Sequence, residues 1–273
     1  MGKFDGILIC TDLDGTLFRK DKSVSKENKD AIAYFQREGG KFTFITGRMP
    51  SFSSGAYEEA CPNAPFGCVN GGGLYDGERE DYIWMAEMPR SVLELVKYID
   101  DEFPNIGIQV NTFHHVYFCK ENGVMAAFRE ITKVPNLVCA CDEVTASIAK
   151  IVFGTADEDE MLRLEQALRS HPRAADFDFI RSERTLFEIL PKGVCKGLAI
   201  KKLTEHLRLD IAKTVAIGDY NNDISMFEAA GVGIAVANAC PEALAAADFV
   251  TVSNQEHAIA RVIYDLAEGK YLS

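Results

Sequence analysis

Two aspartates separated by one residue follow the first apolar segment of the chain, in the run Asp12-Leu13-Asp14-Gly15. The apolar segment, residues 6–11, is typical of a buried parallel strand, so Asp12 should lie at the carboxyl end of that strand, where open α/β sheets bind ligands. A carboxylate there can attack phosphorus to form an aspartyl phosphate. Asp14 can protonate the leaving oxygen and then deprotonate water. The pattern predicts a nucleophile and a general acid/base.

Two carboxylates this close repel each other and would also repel an incoming phosphate. A divalent cation would neutralise them, and Mg²⁺ suits oxygen ligands, so we expect Mg²⁺ as the cofactor. A solvated turn would explain the tetrapeptide about equally well by itself. A calcium loop does not fit, because Gly15 comes too early in such a loop and Ser23 stands where the bidentate glutamate belongs.

A second acidic cluster, Gly-Asp-Tyr-Asn-Asn-Asp at 218–223, also follows an apolar strand and opens a predicted helix. Two acidic strand ends in one sheet can face a common metal, with Asp219 as a direct ligand and Asp223 as its partner. Asn221 is expected to cap the helix, and Asn222 could donate to a phosphoryl oxygen. Helix capping alone would explain these asparagines in about half of cases.

Two further features could hold a phosphate. Thr46-Gly47-Arg48 lies between the second strand and Pro50, which suits the first turn of a helix, where a hydroxyl and an open N–H can bind phosphate oxygens. Arg48 could equally be a surface cation. Lys196 stands at the start of a predicted helix, where a cation opposes the macrodipole, and this placement favours a functional role although many lysines are only solvated.

Strands and helices alternate in the two parts of the chain that carry these residues. The pattern predicts strands over 6–11, 42–45, 214–217, 232–236 and 249–252, and helices over 25–38, 196–209, 221–230, 241–247 and 256–268. Joined by short loops, this alternation is typical of an α/β fold with a Rossmann-like, doubly wound parallel sheet.

The pattern changes between residues 87 and 190. A helix over 92–103 is followed by candidate strands over 106–111, 116–119, 148–154, 177–181 and 185–190. This composition predicts an inserted α+β domain at 87–190, within a catalytic core formed by 1–86 and 191–273. Pro89 and Pro191 are the expected hinges, because such breakers lie where elements end.

The order of these motifs resembles the haloacid dehalogenase superfamily, and most closely its Cof-type sugar phosphatases. The resemblance rests on Asp-Leu-Asp-Gly-Thr-Leu, Thr-Gly-Arg, a lone lysine before a helix, and Gly-Asp-Tyr-Asn-Asn-Asp, and it extends through Val69-Asn70-Gly71-Gly72. It covers essentially the whole Rossmann-like core. His257 stands in the closing motif where the family usually has glycine.

The resemblance implies a role for each motif residue. Asp12 would be the nucleophile, Asp14 the acid/base and a backbone ligand of Mg²⁺, and Lys196 the group that stabilises charge on nucleophile and phosphate. The residues expected at the site are, for the metal, Asp12, Asp14, Asp219 and Asp223, and, for the substrate, Thr46, Gly47, Arg48, Lys196 and Asn222.

The position of the insertion implies the subclass. About 30 residues separate the first two motifs, which leaves no room for a helical cap there, whereas the long segment before Lys196 holds a cap of the second type, class IIB. In such enzymes the cap covers the site and selects the leaving group.

These observations predict a Mg²⁺-dependent phosphatase that hydrolyses a small phosphorylated metabolite, a sugar phosphate in the first instance, through an aspartyl phosphate. A phosphomutase of related architecture and a non-catalytic phosphometabolite sensor are the alternatives.

A net charge of −12 argues against nucleic acid as a partner. No apolar run has membrane length, and no signal peptide is apparent, so we expect a cytoplasmic protein without a membrane partner. The eight cysteines contain no C-x-x-C pair, and we assign no zinc.

Overall fold

Strands and helices alternate through the computed structural model, which describes residues 2–272. The strands are β1 (Leu8–Thr11), β2 (Lys41–Phe44), β3 (Phe66–Cys68), β4 (Gly73–Asp76), β5 (Asp81–Met85), β6 (Gly107–Thr112), β7 (Val116–Lys120), β8 (Leu137–Val138), β9 (Ile148–Gly154), β10 (Phe177–Glu183), β11 (Leu186–Pro191), β12 (Thr214–Gly218), β13 (Val232–Ala235) and β14 (Phe249–Val250). The helices are α1 (Lys26–Arg37), α2 (Ser54–Ala60), α3 (Val92–Glu102), α4 (Gly123–Thr132), α5 (Glu158–Ser170), α6 (Lys196–Leu207), α7 (Ile224–Ala229), α8 (Pro241–Ala246) and α9 (Ala258–Ala267).

The described chain forms two compact units. The core unit takes its residues from 2–48, 53–84 and 195–272. The inserted unit consists of Met49–Phe52 and Met85–Val194. No helix among residues 2–272 combines the length and the apolar character needed to cross a membrane.

A five-stranded parallel sheet forms the centre of the core unit, in the order β14-β13-β12-β1-β2. In its interior, Cys10 of β1 lies opposite Ala216 of β12 on one side and Thr43 of β2 on the other. All four residues of β1 are buried, which explains why this strand is a continuous apolar run in the sequence. The predicted parallel sheet with an additional α+β part is confirmed. Because β12, β1 and β2 are neighbours, the residues that follow them meet along one edge.

Helix α1 is held in the core unit by an N-terminal cap, a buried apolar face and a hydrogen bond to α9. Ser25 caps the helix by accepting a hydrogen bond from the backbone N–H of Asn28 at 3.2 Å. Ala31, Ile32 and Phe35 form its buried face, and the side chain of Asn28 accepts from the N–H of Ala260 in α9 at 3.0 Å. These contacts join the N-terminal and C-terminal parts of the core unit.

The helix predicted over 221–230 is broken. Residues Asn221–Asp223 form a 3₁₀ turn, and α7 begins only at Ile224. Asn221 does not cap α7. The 3₁₀ turn is held instead by the Asp223 carboxylate, which accepts from the backbone N–H groups of Asp219 and Tyr220. The expectation of an Asn221 cap was wrong.

The inserted unit contains a six-stranded sheet in the order β10-β11-β9-β6-β7-β8. Its pairs are antiparallel except for the parallel pair β7 and β8. Helices α3 and α5 supply buried apolar side chains that join one face of the sheet in a common core, namely Val92, Leu95, Val96, Ile99, Met161, Leu164 and Leu168. Helices α4 and α5 were not placed from the sequence.

Replacing Asp157 by alanine should destabilise the inserted unit. The Asp157 carboxylate accepts from the N–H groups of Asp159 and Glu160 at 2.9 and 3.1 Å and caps α5. Loss of such a cap costs about 1 kcal/mol. Asp159→Ala is the matched control, because Asp159 is exposed in the same turn and does not cap it. Urea unfolding curves of the two variants would measure the difference, and equal stabilities would contradict the cap assignment.

Candidate active site

Three aspartates converge at the edge where β1 and β12 end. One carboxylate oxygen from each of Asp12, Asp219 and Asp223 lies within 4.8 Å of the others. Asp12 follows β1 directly, and its N–H donates to the carbonyl of Ile217 in β12 at 2.8 Å. The pairing of the two strands therefore brings together carboxylates that are about 200 residues apart in the chain.

Lys196 is the cation that holds this cluster together. Its Nζ lies 2.6 Å from Asp12 Oδ1 and 2.5 Å from Asp223 Oδ1. Burial alone would lower the lysine pKa, but the two carboxylates raise it above its ordinary value, so the ammonium stays charged. The first residue of α6 thus bridges the ends of two strands.

The three carboxylates carry more negative charge than one ammonium can neutralise. Burial, reinforced by the charges of Asp223 and Asp219 and opposed by Lys196, raises the pKa of Asp12 to about 8. Burial also raises the pKa of Asp219 to about 6. Both shifts indicate a site that lacks positive charge. A bound divalent cation would supply it, and an all-oxygen donor set suits a hard ion such as Mg²⁺.

Asp223 positions its neighbours rather than facing outward. The side chain is fully buried, and its Oδ2 accepts from the N–H groups of Asp219 and Tyr220 at 2.9 and 3.0 Å. With Oδ1 bound to Lys196, both carboxylate oxygens are engaged. This arrangement fixes the turn that presents Asp219.

The loop after β1 is held against Asp219. Thr16 Oγ1 donates to Asp219 Oδ1 at 2.7 Å. Gly15 has φ +90°, and a Cβ added to it would overlap Asp219 Oδ2. Asn238 Nδ2 donates to the Gly15 carbonyl at 2.9 Å. Only glycine meets both the backbone and the space requirement here.

Asp14 lies outside the three-carboxylate cluster. Its oxygens accept from Arg48 Nε and Nη2 at distances of 2.7–3.0 Å and from Lys22 Nζ at 2.7 Å. Burial opposes ionisation of this group, yet the charges of Arg48 and Lys22 lower its pKa below the ordinary value. Asp14 is therefore an ionised carboxylate, and Arg48 is bound to it. Lys22 was not anticipated, because only the fold of the loop brings it near.

Thr46-Gly47-Arg48 does not form the first turn of a helix, so that expectation was wrong. The N–H of Thr46 donates to the Gly67 carbonyl at 2.9 Å, which keeps the chain extended beside β3. Thr46 Oγ1 then accepts from the N–H of Arg48 at 3.2 Å. A Cβ on Gly47 would lie 2.9 Å from Asn70 Oδ1, so the glycine allows this close approach.

Asn70 is a residue of the site to which the sequence interpretation gave no role. It is buried, and its Oδ1 accepts from Asn222 Nδ2 at 3.2 Å, while its N–H donates to the Thr46 carbonyl at 3.0 Å. Both Val69 and Asn70 have positive φ, 54° and 52°, and this conformation is strained for a β-branched valine. The Val-Asn-Gly-Gly run at 69–72 is the sequence feature from which a role for Asn70 could have been inferred.

The loop that contains Asn254 supports the loop after β1. Asn254 donates from its N–H to Asn238 Oδ1 at 2.9 Å and from Nδ2 to the Phe18 carbonyl at 2.8 Å. His257 has φ +63°, a conformation in which glycine is unstrained, which is the physical reason for glycine at this point in the resembled family.

The comparison with protein families agrees with this geometry. The family of haloacid dehalogenase-like hydrolases matches the chain over residues 9–263. Phosphatase YwpJ of Bacillus subtilis is 27% identical over 95% of this chain and 99% of its own. The B. subtilis 5-amino-6-(5-phospho-D-ribitylamino)uracil phosphatase YwtE is 30% identical over 96% of this chain and 99% of its own. The solved structure of the HAD subclass IIB sugar phosphatase BT4131 superposes with a TM-score of 0.83 at 20% identity, over 95% and 98% of the two chains, and so shows the same fold.

The chain belongs to the haloacid dehalogenase-like hydrolase family. The predicted family and enzyme class, a phosphatase of this superfamily, are confirmed. The individual roles of the site residues remain predictions.

Gly15→Ala should impair the enzyme because it displaces Asp219. The added methyl group would overlap Asp219 at a strained φ, which costs about 1–3 kcal/mol of stability. Displacement of Asp219 should also lower kcat/KM by about tenfold to a hundredfold. Gly55→Ala is the control, because the Cβ position there faces open space among the described residues beyond its own helix backbone. Phosphate release and thermal unfolding would be measured for both, and a fully active Gly15→Ala enzyme would refute the contact.

Proposed function

We propose that the protein is a Mg²⁺-dependent phosphomonoesterase that acts through an aspartyl phosphate on Asp12. In this proposal 1–86 and 191–273 form the catalytic core, and 87–190 form a cap of class IIB. The observation that carries the proposal is the direct contact of Lys196 Nζ with Asp12 Oδ1 beside Asp219 and Asp223. A buried carboxylate with a fixed ammonium beside it can receive a phosphoryl group whose negative charge the lysine then shares.

The first half-reaction forms the phosphoenzyme. An Asp12 carboxylate oxygen attacks phosphorus, the bond to the leaving oxygen breaks, and that oxygen takes a proton from Asp14. Lys196 donates hydrogen bonds to the nucleophile and to the transferred group. Thr46, Gly47 and Asn222 would contribute donors to the phosphoryl oxygens.

The second half-reaction restores the enzyme. Asp14, now a base, takes a proton from a water molecule that attacks the aspartyl phosphate, which releases phosphate and frees Asp12. Before the first half-reaction Asp14 must leave its ion pair with Arg48 and Lys22 and take up a proton from solvent, and a phosphate that attracts Arg48 would favour this uptake. When bound, Mg²⁺ would be held by Asp12, Asp219 and the Asp14 backbone, with Asp223 in support, and would offset negative charge.

The substrate we propose is a small sugar or polyol phosphate in the cytoplasm. The name of YwtE describes a phosphatase of a ribityl-bearing phosphate, and BT4131 is described as a sugar phosphatase. Both names support a phosphate ester whose leaving group carries several hydroxyl groups.

Asp12→Asn should abolish turnover while the protein still folds. The carboxamide is a poor nucleophile, so kcat should fall by about a thousandfold or more. Asp30→Asn is the matched control, because Asp30 is exposed on α1 and forms a surface ion pair with Lys26. Free phosphate would be measured over a panel of metabolite phosphates, with circular dichroism as the test of folding.

Acid-quenched wild-type enzyme should carry an alkali-labile phosphate on the peptide that contains Asp12, and the Asn variant should not. Turnover that survives Asp12→Asn would refute the nucleophile assignment. An isomerised product in place of free phosphate would contradict hydrolysis.

Chelation should remove activity, and Mg²⁺ should restore it. Asp219→Asn exchanges a charged oxygen donor for a neutral amide, so the Mg²⁺ concentration for half-maximal activity should rise by about tenfold or more. Asp248→Asn serves as a control away from the site, in the turn where Asp248 accepts from Gly233. Activity that persists in excess EDTA would overturn the metal requirement.

A further inference from the structure

Three cysteines lie together in the inserted unit. Cys119, Cys139 and Cys141 pack against the apolar core that α3 and α5 form with one face of the sheet. All three are half-buried, whereas Cys10 and Cys68 of the core unit are fully buried. A fully enclosed thiol acts as a small apolar side chain, but a partly exposed thiol beside another thiol can react.

Strand pairing brings Cys119 and Cys139 side by side. Strands β7 and β8 are parallel neighbours, with Phe118 opposite Val138. A cysteine follows each of these two residues in the chain. Neighbouring strands lie about 4.8 Å apart, and a Cα separation of this size is within the range that a disulfide can span.

The backbone of β7 is irregular at Cys119. On the side of β6, Phe118 lies opposite Gln109 and Lys120 lies opposite Ile108, so Cys119 is the extra residue of a β-bulge. A bulge leaves its extra residue without a cross-strand partner and redirects the side chain. This geometry suits a residue whose side chain meets a different segment of the chain.

That segment contains Cys141, the first residue of a short 3₁₀ turn. The Cys119 thiol donates a hydrogen bond to the Cys141 sulfur, and this bond is the main reason why the pKa of Cys119 is raised and that of Cys141 is lowered. Burial raises the pKa of Cys139, which also contacts Cys119. Cys141 therefore ionises most readily of the three, and the thiolate is the reactive form.

A disulfide fits this arrangement better than a metal ion does. Structural thiolate sites bring several sulfurs to one point. Among residues 2–272, only the aspartates of the candidate active site offer three ligand atoms within 4.8 Å of one another. The three sulfurs therefore do not converge in this way. A disulfide needs two sulfurs, and those of Cys119 and Cys141 are already in contact.

We propose that Cys119 and Cys141 form a thiol–disulfide exchange site that reacts with small uncharged or cationic disulfides. The Cys141 thiolate attacks one sulfur of the small disulfide, the S–S bond of that disulfide breaks, and the departing thiolate takes up a proton. Cys119 then loses its proton to solvent and attacks Cys141 Sγ, which expels the second small thiolate. Two protein thiols are oxidised, and one small disulfide is reduced to two thiols.

Acidic side chains near the pair favour some disulfides over others. The charges of Asp100 and Asp142 act on Cys141. Lys120 Nζ lies 2.7 Å from Asp100 and offsets its charge, whereas Asp142 and Glu143 are exposed. The remaining negative potential should attract a cationic reagent and repel an anionic one.

The disulfide would close the segment 119–141, which contains α4 and the edge strand β8. Such a cross-link restricts the unfolded chain and so stabilises the folded one. The oxidised protein should therefore melt about 5–10 °C above the reduced protein, and dithiothreitol should reverse the difference. The inference goes beyond the proposed hydrolysis and needs no residue of the core unit.

The test exposes reduced, full-length protein to cystamine, which is cationic, or to glutathione disulfide, which is anionic. After alkylation of the remaining thiols, trypsin releases Cys119 within 98–120 and both Cys139 and Cys141 within 134–150. Mass spectrometry would detect the disulfide as a linked pair of these two peptides. The pair should form about tenfold faster with cystamine. Asp142→Asn should narrow this difference, whereas Asp159→Asn, at an exposed position of α5, should not.

Cysteine variants identify the two sulfurs. Cys141→Ser and Cys141→Ala should give no linked peptides, whereas Cys139→Ser should give them within about twofold of the wild-type rate. When Cys119 and Cys139 are both replaced by serine, Cys141 should retain one cystamine-derived thiol, because no neighbouring thiol is left to expel it. Circular dichroism would verify that each variant folds.

Several results would overturn the inference. Linked peptides that persist in Cys141→Ser, or that vanish in Cys139→Ser, would refute the assigned pair. Wild-type protein without linked peptides, under conditions that modify the exposed Cys61, would refute the exchange site. One Zn²⁺ retained per chain by wild type and lost in Cys141→Ser would make the cluster a metal site instead. A faster reaction with glutathione disulfide would contradict the selectivity. None of these measurements uses phosphate release, so each result leaves the proposed function untouched.

Discussion

The buried ammonium of Lys196 is the interaction on which the rest of the site depends. It contacts Asp12 at the end of β1 and Asp223 beyond the end of β12, and the three groups would be costly to bury separately. Together they still leave the site short of positive charge, as the raised pKa of Asp12 indicates. This excess of negative charge favours binding of a cation and repels a phosphate, so a phosphorylated ligand would bind here only if a cation and Lys196 together offset the excess.

The order of the strands in the core sheet brings the charged groups of the site close together. With β1 between β12 and β2, three loops that are far apart in the chain end at one edge. Hydrogen bonds of 2.7–2.9 Å from Thr16, Asn238 and Asn254 tie the loops that follow β1, β12, β13 and β14 to one another. Rigid strands and cross-linked loops hold the aspartates close together, as catalysis by positioned groups requires.

The sequence predicted the site residues that lie at the ends of strands or the start of a helix. It missed the contacts that depend on pairing between distant segments. Asp12, Asp219 and Lys196 follow or begin elements with clear apolar periodicity, so their convergence could be expected. Thr46 was misjudged because a backbone bond to Gly67, rather than local propensity, keeps it extended. Asn70 needs a positive φ and two distant partners, none of which a linear pattern reveals.

The division of the core unit along the chain has a consequence for biosynthesis. Strand β1 emerges from the ribosome long before its partner β12, and nearly the whole inserted unit is made between them. The inserted unit can therefore begin to fold before β12 is made, whereas the central sheet must await β12, β13 and β14. Until α6 and β12 are made, the aspartate after β1 has neither its lysine nor its acidic neighbours, so the nascent chain cannot assemble the acidic cluster before both elements have been synthesised.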